Sequence, residues 1–157
     1  MQIFTDPIDN LAHILITIAN WFRIADITLF FRKRSLILMY HSVDGEYTQY
    51  RYEIPLSSFV SQIEYIRRKF QVVPLDQIYS HSKSKICHVS LTFDDAYEDF
   101  YTNVYPLLLK YSLPATIFVP TAFIDVEPCS SDEDRYLFGK KHVSWEQLRE
   151  MHASGLV

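Results

Sequence analysis

The stretch His88-Val89-Ser90-Leu91-Thr92-Phe93 contains neither Gly nor Pro, leans toward β-branched and aromatic residues, and ends abruptly in two adjacent carboxylates, Asp94 and Asp95. Such a run reads as a buried strand of a sheet covered on both faces. The acids then sit at its carboxyl end, where the loops of open α/β sheets and β/α barrels converge and ligands bind. Burying a carboxylate without a partner is costly or forces its pKa upward. A pair in this position therefore suggests a bound cation, a shared proton or basic partners. The plainer alternative is that one or both acids cap the segment that follows.

The neighbouring sequence supplies the rest of an α/β pattern. Residues 35–40 form an expected first strand that ends in His41, a residue that is either a hydrogen-bonded structural histidine or part of the same cleft as Asp94. Residues 44–53 are polar and tyrosine-rich and suit an exposed loop or hairpin. A helix is expected from Ser57 or Ser58, with Phe59, Ile63, Ile66 and Phe70 on one face and Arg67, Arg68 and Lys69 in the last turn. A short strand at 71–73, a break at Pro74 and a brief helix at 75–79 follow. After the acids, residues 97–111 look helical in two pieces, with Pro106 opening the second and Leu107, Leu108 and Leu109 packing inward. Residues 115–119 are another buried strand, 125–141 a long surface loop, and Ser144-Trp145-Glu146-Gln147 a capping box for a helix ending near Gly155. Strands alternating with helices imply parallel pairing.

Residues 1–34 stand apart as an amphipathic helical segment before a domain over 35–157. Ile8, Leu11, Leu15, Ile18 and Phe22 recur at helical spacing behind Pro7. A membrane span needs about 20 predominantly apolar residues, whereas Asp9, Asn10, His13, Asn20, Arg23 and Asp26 interrupt this one. A helix packed on the domain is the preferred expectation. The alternative is peripheral membrane contact through residues 7–34, anchored by Trp21, Phe22, Phe30 and Phe31 beside Arg32, Lys33 and Arg34. No basic region precedes the apolar stretch, so no cleavable signal is expected, and localisation stays open between cytoplasmic and membrane-peripheral.

A net charge of −4 disfavours nucleic acid as a partner. Cys87 and Cys129 fit no metal or redox spacing and are expected to be ordinary thiols. The six histidines, at positions 13, 41, 81, 88, 142 and 152, include no closely spaced pair suited to metal binding.

Four stretches then carry a resemblance: Leu36-Ile37-Leu38-Met39-Tyr40-His41, Leu91-Thr92-Phe93-Asp94-Asp95, Pro114-Ala115-Thr116-Ile117-Phe118-Val119, and Ser144-Trp145-Glu146-Gln147-Leu148 with Gly155. In order and spacing they resemble the polysaccharide deacetylase family, metal-dependent carbohydrate esterases that remove N-acetyl groups, and in particular the branch acting on poly-N-acetylglucosamine. The resemblance implies the N-terminal part of an incomplete or distorted β/α barrel acting on a polysaccharide. It makes Asp94 the general base and Asp95 a ligand of a divalent metal, zinc foremost, while His41, if it lines the cleft, is the candidate for the substrate pocket. An amide is a poor electrophile, and a metal that polarises its carbonyl and acidifies water, with a separate base, makes its hydrolysis feasible.

Two departures stand out. Ala96 replaces a frequent glycine. The His-[Ser/Thr]-x-x-His motif that supplies further metal ligands is expected shortly after Gly155, and the sequence stops at Val157. Since a catalytic zinc usually has three protein ligands, the chain is expected to be the N-terminal half of a deacetylase, inactive alone. The alternative is a catalytically dead carbohydrate- or partner-binding remnant. A phosphatase reading lacks its Asp-x-Asp-Gly arrangement.

Overall fold

The structure, a computed structural model, describes residues 35–45, 52–79, 87–125 and 140–157. The N-terminal segment with its expected helix, His13, His81, Cys129 and most of the expected 125–141 loop lie outside the described residues. Among those described, no helix is long and apolar enough to cross a membrane.

The centre of the sheet is β5 (His88–Phe93), buried at every position as its composition predicts. The edge strand β1 (Leu36–Tyr40) runs parallel to it from Leu36↔Val89 to Tyr40↔Phe93. On the other side of β5, β4 (Gln71–Val72) pairs with its first two residues and β6 (Ala115–Ile117) with its last three, both in parallel. Between β1 and β4 lie two short strands, β2 (Ser42–Val43) and β3 (Glu53–Ile54), which pair with each other in parallel. Of the exposed loop or hairpin expected over 44–53, residues 46–51 lie outside the described residues, and the two strands that flank them are parallel rather than a hairpin's antiparallel pair. The sheet is that of an α/β fold with parallel strands.

One face of this sheet is the core. Leu36, Leu38 and Tyr40, Val89, Leu91 and Phe93, and Ala115 and Ile117 alternate onto it, as a period of two requires. Helix α1 (Leu56–Lys69) covers it with Phe59, Ile63 and Ile66, and its cationic last turn complements the helix dipole. The helix begins slightly earlier than the serines predict because Pro55, with φ fixed near −60°, serves as its N-cap.

The region after the acids departs from a plain helix. Phe100–Val104 is a π-helical stretch, continued by α2 (Tyr105–Tyr111). Pro106 has no N–H to offer an earlier carbonyl, so the hydrogen-bond ladder shifts there. The expectation that three consecutive leucines pack inward is corrected: Leu108 is fully buried while Leu109 is 46% exposed. Successive helical residues point about 100° apart and cannot share one face.

The expected strand over 115–119 is also shorter, ending at Ile117, because β5 stops pairing at Phe93. Helix α3 (Trp145–Ala153) carries the predicted capping box: Gln147 N–H donates to Ser144 Oγ at 3.1 Å and Ser144 N–H to Gln147 Oε1 at 2.8 Å. Gly155, at φ +72°, ends it as expected. Ser144→Ala is expected to lower the unfolding free energy by about 1 kcal/mol, read from urea denaturation.

Candidate active site

Because Tyr40 and Phe93 face the core in register, the next residue on each strand, His41 and Asp94, turns to the opposite face. The ladder continues one step through Asp94 N–H, which donates to the Tyr40 carbonyl at 2.9 Å. His41 Nε2 lies 3.9 Å from Asp94 Oδ2, with 19% and 31% of the respective side chains exposed. Tyr52 stacks on the His41 ring at 5.0 Å. The two residues singled out from separate strands thus meet at the carboxyl end of the sheet, half-sheltered and within reach of a ligand.

Asp95 is placed differently. It has φ +67°, and Ala96 follows at φ +48°, two left-handed residues in a row without a glycine. The helical run begins only beyond Tyr97, with Asp99 at its flanking position, so the acid pair does not occupy a helix N-cap. The turn redirects Asp95 toward Tyr97 and His142. Burial, then the charge of Asp95 and a hydrogen bond to it, pushes the Tyr97 phenol up to about 12. His142 pairs with Tyr97 in an isolated antiparallel bridge and lies between the Tyr97 and Phe123 rings, at 5.2 and 5.4 Å. Burial lowers its pKa, partly offset by Asp95.

A left-handed alanine costs about 1 to 2 kcal/mol, partly cancelled by glycine's greater freedom when unfolded. Because Ala96 is buried in the core and its methyl is worth about 0.8 kcal/mol, the relief and the loss nearly cancel, and Ala96→Gly is expected to leave stability within about 0.5 kcal/mol of the parent, measured as the denaturation midpoint at unchanged slope.

Behind these residues sits a polar clamp that sequence reasoning missed. Lys140 Nζ donates to Ser42 Oγ at 2.6 Å and lies 3.2 Å from both Asp99 Oδ2 and Glu53 Oε2. Ser42 Oγ in turn donates to Asp99 Oδ2 at 2.6 Å, and Asn103 Nδ2 to the Val43 carbonyl at 2.8 Å. Burial works against the ammonium charge, but Asp99 and Glu53 outweigh it and hold the Lys140 pKa above its ordinary value. The clamp ties the segment after His41, the turn after Asp95 and the segment before His142 into one unit. No local pattern marks it, since Lys140 lies far along the chain from every partner.

Asp95 is the expected metal ligand. Among the described residues, no three His, Cys, Asp or Glu side chains converge to hold a metal, and the Asp95 carboxylate is engaged by Tyr97. By themselves these residues do not fit a catalytic metal, which usually takes three protein ligands.

Residues 81–157 match the sequence model of the polysaccharide deacetylases. Over that stretch the chain resembles the polysaccharide deacetylase family. A poly-β-1,6-N-acetyl-D-glucosamine N-deacetylase of Staphylococcus aureus (strain MSSA476) is 32% identical over 110 residues, which cover 67% of this chain and 35% of that protein. Two solved deacetylase-family structures share the fold: a de-N-acetylase from Aggregatibacter actinomycetemcomitans (29% identity, TM-score 0.62, 78% of this chain and 52% of that one) and IcaB from Ammonifex degensii (28%, 0.63, 78% and 49%). The chain thus spans about a third of the length of that curated deacetylase. Asp94, Asp95, Tyr97 and His142 all fall within the matched stretch.

Proposed function

We propose that this chain carries the N-terminal part of a polysaccharide N-deacetylase site for poly-N-acetylglucosamine, with Asp94 as the general base. The observation that carries this reading is the placement of Asp94 opposite His41, at the carboxyl end of a parallel sheet, within the stretch that matches the deacetylases. A water held against the acetamide carbonyl would lose its proton to Asp94, and His41 would line the pocket that orients the sugar. Asp95 is the one divalent-metal ligand assigned here, with the remaining ligands coming from polypeptide outside the described residues. In this reading the sheet is the first part of an incomplete β/α barrel, and residues 1–34 form a separate segment before it.

The test is acetate release from a β-1,6-linked N-acetylglucosamine oligomer, with a divalent cation supplied and then chelated. Cation-dependent release is the expected result for the complete site. A second reading, carbohydrate binding without hydrolysis, is favoured by the lack of a three-ligand group among the described residues. Oligomer binding without release under all cation conditions would decide for it, and neither binding nor release would sink both.

A further inference from the structure

Strands β1, β5 and β6 end in one row. Their last core-facing residues, Tyr40, Phe93 and Ile117, are register partners across the three strands. The next residues, His41, Asp94 and Phe118, therefore share the opposite face. Val119 packs back against the core, so the alternation persists through Phe118. Neighbouring strands lie about 4.8 Å apart, which sets Phe118 beside Asp94 on the side away from His41. Its amide donates to the Phe93 carbonyl at 2.8 Å, holding the backbone at that step.

Half of the Phe118 surface, 50%, faces water, although an aromatic ring is among the side chains that gain most from burial. A single exposed phenylalanine elsewhere on a surface would mean nothing. This one adjoins the proposed base, while the opposite bank of the row carries Tyr52 stacked on His41 and 59% exposed.

We propose that Phe118 is a sugar platform, its ring taking the apolar face of the pyranose next to the unit whose acetamide lies at Asp94. An N-acetylhexosamine chain then crosses the ends of β6, β5 and β1 with its reacting unit in the middle of the row. A pyranose presents a face of C–H groups, and the negative face of an aromatic ring matches it. Contacts to units remote from the reacting amide are what position it. This inference rests on the carbohydrate reading above and adds a residue that determines chain-length specificity.

The probes are a β-1,6-linked N-acetylglucosamine pentamer and the N-acetylglucosamine monomer, titrated against the whole 157-residue chain by ligand-observed NMR. Phe118→Ala is expected to weaken pentamer binding by about tenfold and leave monomer binding unchanged, while Phe118→Trp keeps the pentamer affinity. In the unsubstituted chain labelled with 4-fluorophenylalanine, the Phe118 resonance, assigned by its loss in Phe118→Trp, is expected to move with the pentamer. This measurement serves even if the alanine variant does not fold. Equal pentamer affinity with an unmoved resonance overturns the platform and leaves the deacetylase reading intact. Loss of self-association in Phe118→Ala, with sugar affinity unchanged, makes this face a contact between copies and also overturns it. If the unsubstituted chain binds neither probe, the carbohydrate reading falls and the platform with it.

Discussion

In a polypeptide that carries the complete site, Asp94→Asn is expected to lower acetate release from β-1,6-linked N-acetylglucosamine oligomers by about 10²- to 10⁴-fold, the usual contribution of a positioned general base. Asparagine keeps the shape and the backbone hydrogen bond to Tyr40 but cannot accept the water proton. His41, 3.9 Å from the Asp94 carboxylate, stays in place and offers no carboxylate in exchange. The partner substitution separates the two acids. Asp95→Asn is expected to weaken divalent-cation binding by at least about tenfold, whereas Asp94→Asn leaves it near the unsubstituted value. Acetate release and bound cation measured on the same samples read both effects. An Asp94→Asn protein retaining more than a tenth of the release rate would remove Asp94 from the role of base.

The second large effect is on folding. Lys140→Met is expected to lower the unfolding free energy by about 3 kcal/mol, because breaking a buried ion pair leaves its carboxylates uncompensated. The side chains of Asp99 and Glu53 are only 8% and 7% exposed, so little water can replace the lost ammonium. Adding Asp99→Asn to Lys140→Met should recover part of the loss, and the double-mutant cycle measures the coupling.

The pH dependence follows from the raised pKa of Lys140. A group bound more tightly to its proton when folded contributes stability that is fully present below its unfolded pKa, about 10.4. That contribution is lost as pH rises through the folded value. Urea midpoints should therefore fall above about pH 10.4 in the unsubstituted protein, and this component of the fall should be missing in Lys140→Met. An equal alkaline loss in both proteins would show that the clamp does not carry it.

What the sequence determined by itself was whatever depends on neighbours a few residues apart. The composition of residues 88–93 gave a strand buried at every position. The spacing of Phe59, Ile63 and Ile66 gave the buried face of α1, and Ser144 with Gln147 gave the cap of α3. Strand–helix alternation gave the parallel sheet, and the place of Asp94 at the end of its central strand followed. These rules are local: a period of two or of 3.6 residues, or one capping hydrogen bond, is written within a single turn or strand.

Tertiary structure decided what those acids touch. His41 reaches Asp94 only because β1 and β5 pair in one register, and Phe118 joins their row only because β6 flanks β5 on the other side. The left-handed turn that sends Asp95 away from Asp94 toward Tyr97 and His142 has no glycine to announce it. Lys140 meets Ser42 across 98 positions of sequence. Contacts of this kind arise from where the chain returns in space, and charge and shape complementarity across such distances leave no periodic trace along the chain.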